Sequence, residues 1–197
     1  MTQARHIFPL MLLTGIIGAH LHAQSQPLAV ERQGDRLVIS APQLHFLAGK
    51  PLEQLHDGAS VTYVIALTLT ADQSHVPVLR IQRRFIVSFD LWEEQFSVVD
   101  ADPPGSSASH VSARKAEAWC LENMVVPLQA LPAEKSFVIK LECWRAEKGE
   151  ESGGESGSPL TLAGLIDALS RKGHPPPARW EALSGPLRLA DLRPRVK

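Results

Sequence analysis

Apolar and polar residues alternate through the middle of the chain. Over residues 61–70, Val61, Tyr63, Ile65, Leu67 and Leu69 fall on one side of an extended backbone, and Thr62, Val64, Ala66, Thr68 and Thr70 on the other. A period of two predicts a strand with one face in a core. The stretch 78–91 repeats the pattern, with Leu79, Ile81, Phe85, Val87, Phe89 and Leu91 opposed to Arg80, Gln82, Arg84, Ser88 and Asp90. Arg83 interrupts the apolar side; a side chain snorkelling near a sheet edge, or a bulge that shifts the register, accounts for it better than a buried functional charge. Segments 36–40, 95–99 and 136–144 carry the same period, the last aligning Phe137, Ile139, Leu141 and Cys143. Five strands in succession predict an antiparallel meander. Turns between them are marked by Gln33-Gly34, by Asp57-Gly58 and by the Pro-, Gly- and Ser-rich run 100–109.

Two segments carry helical signals instead. Ser112 stands where it can cap a helix over 112–123, with Ala116, Trp119, Cys120 and Leu121 towards a core and Pro127 as a stop. Further on, Ser158-Pro159 opens a segment in which Leu162, Leu165, Ile166 and Leu169 recur at helical spacing, and Gly173 closes it. Between these elements, residues 147–158 are almost entirely Glu, Gly and Ser, too poor in apolar surface to order themselves, and they read as a flexible acidic loop. The tail from Trp180, with Leu183, Leu187 and Leu189, adds a last strand or docks irregularly. The expected fold is α+β and mainly β, an antiparallel meander sheet or sandwich with two helices. Residues 24–146 form the β-rich part with the inserted helix, and 159–197 supply a C-terminal helix and tail packing on the same domain.

The N-terminus has a different character. Arg5 and His6 precede an apolar run over 7–19 that contains Pro9 and Gly15. That run is shorter than the ~20 residues a membrane span needs, so residues 1–23 read as a signal peptide, cut after Ala23 or after Ala19. The mature chain is then expected in the periplasm or secreted, with no stable membrane span. Net charge is −1 for the whole chain, and loss of Arg5 leaves 19 basic against 21 acidic residues. No basic concentration points to nucleic acid or an anionic membrane.

Cys120 and Cys143 are the two cysteines. An even count in an exported chain reads as a disulfide, worth about 3 kcal/mol at this separation in the loop-entropy account; two buried thiols that never meet is the other reading. Two cysteines at this spacing build no zinc motif, and His45, His56, His75 and His110 are scattered without ligand spacing. No metal or cofactor is expected.

Three segments invite a chemical reading. Ser112-Ala113-Arg114-Lys115 fits Ser-x-x-Lys at a helix start, where Lys115 could activate Ser112 as a nucleophile on cell-wall or ester substrates. Neither a Lys-Thr-Gly nor a Ser-Asp-Asn partner occurs in the chain, and a capping serine explains the same residues. Gly154-Glu155-Ser156-Gly157 matches a protease serine loop only superficially, inside the low-complexity segment. Asp90-Leu91-Trp92-Glu93-Glu94-Gln95 places a tryptophan among acids between two apolar strands. Trp92 could form a binding rim with Arg80 and Arg84, or sit in a hairpin and cover the core edge.

Leu55-His56-Asp57-Gly58-Ala59-Ser60-Val61, Arg84-Phe85-Ile86-Val87-Ser88-Phe89-Asp90-Leu91-Trp92-Glu93-Glu94 and Ala116-Glu117-Ala118-Trp119-Cys120-Leu121-Glu122-Asn123 resemble a bacterial family of exported proteins of unknown function. The closing Gly185-Pro186-Leu187-Arg188-Leu189-Ala190-Asp191-Leu192 is similar to that family's end. The resemblance implies export and a single domain, and carries no mechanism. Together these features point to a non-catalytic binding or scaffolding protein of the cell envelope with a protein partner. A Ser-x-x-Lys hydrolase or transferase, and a small-ligand carrier with its pocket between sheet and helix, are the alternatives.

Overall fold

The computed structural model describes residues 26–71, 76–102, 104–146 and 178–194. Along them run β1 (Gln26–Pro27), β2 (Ala29–Gln33), β3 (Arg36–Ser40), α1 (Lys50–His56), β4 (Val61–Ala71), β5 (Pro77–Asp90) and β6 (Gln95–Ala101). Then come β7 (Pro104–Val111), α2 (Ala113–Glu122), β8 (Val126–Pro127), β9 (Phe137–Arg145) and β10 (Arg179–Leu183). A large sheet has the strand order β1-β10-β9-β4-β5-β6-β7, and a small one the order β2-β3-β8. Pairing is antiparallel throughout except for β1 on β10. The fold is α+β and mainly β, and its sheets do not close into a barrel.

The alternating segments become the centre of the large sheet. On β4, Ile65 lies between Arg83 of β5 and Cys143 of β9, so both neighbours turn the same face inward. Val61, Tyr63, Ile65, Leu67 and Leu69 are all buried, together with Phe85, Val87, Ile139 and Leu141. Such a face must be covered, and α2 and β3 cover it with Ala116, Cys120, Leu121, Leu37 and Ile39. Each large aliphatic side chain so buried contributes about 1.5–3 kcal/mol.

That need for a cover explains where the expected meander breaks. It runs only from β4 to β7; β3 departs to the small sheet, and β9 returns to the far side of β4. Most of the run 100–109, read as a turn, belongs instead to strand β7. This strand buries almost nothing, so no alternation announces it; it is held by pairing with β6 through two register shifts. Helix α1 was not anticipated either, since seven residues with only Pro51 and Leu55 buried show no periodicity. Helix α2 falls where expected, and Trp180 and Leu183 enter strand β10. The predicted signal segment 1–23, acidic loop 147–158 and helix beginning at Pro159 lie outside the described residues. Among the described residues, no helix is long and apolar enough to cross a membrane.

The C-terminal residues join both sheets. Phe137 and Leu187 exchange backbone hydrogen bonds of 2.9 and 2.8 Å, and the Ser184 hydroxyl accepts the Ile139 N–H at 2.8 Å. The Arg32 N–H of the small sheet donates to the Arg193 carbonyl at 2.9 Å.

The expected disulfide is absent. Cys120 on α2 and Cys143 on β9 are free thiols, both fully buried in the common core. Burial, followed by the negative charge of Glu117, pushes the Cys120 thiol far above its ordinary pKa. Burial does the same for Cys143. Both therefore pack as small apolar groups, and the thiolate that disulfide exchange requires is suppressed.

Candidate functional site

The hairpin joining β5 to β6 closes on the pair Asp90–Gln95. One oxygen of the Asp90 carboxylate accepts the N–H groups of Trp92 at 2.8 Å and Glu93 at 3.1 Å. Those two bonds, that from Glu93 first, hold the Asp90 carboxyl below its ordinary pKa. Glu94 completes the turn at φ 53°, in the left-handed region that non-glycine residues seldom adopt. His110 of β7, itself at φ 58°, sets Nε2 2.8 Å from the Glu93 carboxylate. At the root, the His56 ring lies 4.5 Å from Phe89, which lies 4.8 Å from Phe96.

Trp92 is thus in the expected hairpin, but it covers no core edge: it is 95% exposed, and neighbouring Leu91 is 56% exposed. The rim expected with Arg80 and Arg84 is not assembled. Arg80 stands ten strand positions before Asp90, roughly 33 Å away at the usual rise. Arg84 is bound instead to the Asp102 carboxylate, at 2.6 and 2.8 Å.

Arg83 keeps its place on the inner face of an unbulged stretch of β5. Its guanidinium donates to the carbonyls of Asp102 at 2.9 Å and Asn123 at 2.7 Å, and lies 2.8 Å from the fully buried carboxylate of Asp100. It is therefore a part-buried charge paired with a fully buried carboxylate, with no bulge at its position, and it clasps the end of α2 to β5 and β6.

A cleft of about 240 Å³ opens between α2 and the segment that follows β3. Along α2, Arg114, Glu117, Ala118, Leu121 and Glu122 line it, a helical stripe that faces Ala41, Pro42, Leu44 and His45. Glu117 is 5% exposed. One of its carboxylate oxygens accepts the Leu47 N–H at 2.9 Å, and the other lies 3.0 Å from His45 Nδ1. The Tyr63 hydroxyl donates to the Phe46 carbonyl at 3.1 Å, so three successive residues are pinned over the helix. Burial, then the nearby Cys143 and Glu117, raise the Tyr63 phenol well above its ordinary pKa.

Ser112 occupies the N-cap position with extended backbone, and its carbonyl accepts the Ala116 N–H at 2.9 Å, but its hydroxyl makes no capping bond. Ser112 and Lys115 are both exposed, and no bond links them. The structure instead joins His45 to Glu117, a pair the linear sequence hides across 72 residues. The available signal was Glu117 itself, a carboxylate one and three places from Ala116 and Cys120 on the buried stripe of α2. Among the described residues no group of three or more His, Cys, Asp or Glu side chains is placed to hold a metal ion. No family model matches the chain, and no curated protein or solved structure matches it.

Proposed function

We propose that this chain is an exported, non-catalytic binding protein of the bacterial cell envelope that engages a protein partner through the tip of the β5–β6 hairpin. The observation that carries the reading is the exposure of Trp92, 95%, on a turn whose backbone is fixed by Asp90. A rigid aromatic side chain loses little conformational entropy on docking, and tryptophan is enriched among the residues that dominate interface energies. Leu91 beside it is also exposed, and the acidic Glu93 and Glu94 follow in the same exposed turn. The complementary partner presents an apolar pocket with a basic rim, and association slows as salt rises. The charged-then-apolar start of the chain and the resemblance to exported bacterial proteins support the location.

Cross-linking in the cell envelope, with the tagged chain and its Trp92→Ala variant in parallel, tests this. Trp92 contacts solvent, so the substitution should change folding stability by no more than about 0.5 kcal/mol. One stoichiometric partner recovered with the native chain and lost with the variant is the expected result. Recovery of the chain alone, or of the same partner with both chains, overturns the proposal.

A further inference from the structure

We propose that the partner segment next to the Trp92 contact is extended, apolar and basic, and that it lies along a ledge running from the hairpin tip to the end of α1. The inference rests on Trp92 as the partner contact and extends that contact to a second element of the fold.

The ledge exists because the cover of the large sheet runs short. Helix α2 and strand β3 pack over the middle of its inner face. Where β5 and β6 run into their hairpin, that face continues with Phe89 and Phe96, which pair across the two strands. A sheet face of this kind has to be covered, and α1 ends there after seven residues. Its last residue, His56, lays its ring 4.5 Å from that of Phe89 and 6.4 Å from that of Phe96, and is itself exposed. Phe96 is buried beneath, whereas Phe89 is only partly buried. Just past the helix, a side-chain carbon added to Gly58 would meet Leu91 Cδ1 at 3.9 Å. The hairpin tip therefore lies beside the end of α1, and exposed Leu91 joins Trp92 to Gly58 and His56 in one open surface.

Charge gives the occupant its sign. Asp57, Glu93 and Glu94 are exposed on the two turns that bound the ledge. Glu93 is paired with His110 at 2.8 Å; Asp57 and Glu94 are in no ion pair with a described residue. Cations interleaved with apolar side chains complement that arrangement. An extended segment supplies it: alternate side chains turn down onto the ledge, and the long stems of lysine carry their charges round to the carboxylates. From Phe89 to Trp92 the chain advances three residues, at most about 11 Å, so five extended residues spanning about 17 Å cover the ledge.

The probe is the end-capped pentapeptide Lys-Leu-Lys-Leu-Lys, titrated into the full mature chain and followed by amide NMR shifts, with Ser-Leu-Ser-Leu-Ser and Glu-Leu-Glu-Leu-Glu alongside. Saturable shifts at His56, Gly58 and Leu91 are expected with the basic peptide, affinity about tenfold lower with the neutral one, the scale of two exposed ion pairs, and no binding of the acidic one. Asp57→Asn should weaken the basic peptide about threefold and leave the neutral one unchanged, and Leu91→Ser should weaken both. Both side chains are exposed, so neither variant puts the fold at risk. Shifts confined to Leu91 and Trp92 overturn the ledge and leave the Trp92 contact in place. Equal affinity for the three peptides, indifference of the basic peptide to Asp57→Asn, or no saturation up to roughly 10 mM overturns the proposal as well. The peptides are read without the cellular partner, so failure of the ledge and failure of the Trp92 contact show in separate experiments.

Discussion

Replacing Arg83 by Met tests how the sheet and α2 are held together. Methionine keeps much of the unbranched apolar stem and removes the guanidinium. The variant would strand the Asp100 carboxylate, which is fully buried and retains only the Asp102 N–H at 3.0 Å. It would also leave the carbonyls of Asp102 and Asn123 without the bonds of 2.9 and 2.7 Å that Arg83 supplies. Breaking one side of a buried pair costs about 3–5 kcal/mol. The Arg83 side chain is 20% exposed, so water reaches part of the site and the lower half of that range is expected. For a chain of this size each kcal/mol shifts Tm by about 2–4 °C, so the midpoint should fall by roughly 6–16 °C. Urea unfolding of the single variants Arg83→Met and Asp100→Leu and of the double variant gives the coupling directly. The double variant should lose less than the sum of the singles by about 2 kcal/mol or more, because it leaves no charge unpaired. A single variant within 1 kcal/mol of the native chain, or additivity of the two, would refute the clasp.

The thiols should be silent until the chain unfolds: without reductant, alkylation adds two adducts in denaturant and almost none in native buffer, whereas a disulfide would add none in either. The folded chain keeps protons on Cys120 and Cys143 that the unfolded chain releases near pH 8.5. Their stabilisation is therefore complete below about pH 8.5 and is lost as pH rises above it, together about 3 kcal/mol at pH 9.5. Unfolding midpoints from pH 7 to pH 9.5 should show that loss, and a Cys120→Ala, Cys143→Ala chain should show a shallower one; equal slopes would contradict the buried-thiol account. Glu117→Leu should cost about 1–3 kcal/mol, because it orphans the Leu47 N–H, while Glu117→Gln, which can still accept that bond, should cost less. Hydrogen exchange at Leu47 separates the two, and unchanged protection in Glu117→Leu would rule out the pin.

Burial with a period of two made β4, β5, β6 and β9 legible, since each places alternate residues in the core. Strands β2 and β7 lack such a face; backbone pairing with a neighbour makes them strands, and pairing leaves no local mark. Arg83 misled for a related reason. The apolar face it interrupts is readable in one strand, but the carboxylate that neutralises it lies on another, seventeen positions on at Asp100. Conversely, Trp92 and Arg80 cannot share a rim, because the strand length that separates them was itself predicted. The cleft needs residues from the β3–α1 segment and α2, which only the tertiary fold brings together.

The parallel pairing of β1 with β10 sets Gln26 opposite Ala182, and Arg32 bonds to Arg193 nearby. β10 covers the edge of β9 and β1 covers that of β10, so this side of the large sheet is finished by residues from near both ends of the described chain. Closing the loop from Gln26 to Ala182 carries an entropy cost of about 4–5 kcal/mol, recovered only when β1 pairs with β10. Shorter-range pairings such as the β4–β5 and β5–β6 hairpins close far smaller loops and are favoured to form earlier. The architecture is therefore one of late completion: during synthesis, β9 keeps an open, pairing-competent edge until residues up to Leu183 have arrived. A chain truncated before β10 would be left with that edge exposed, and would be the species most prone to stick to its own kind.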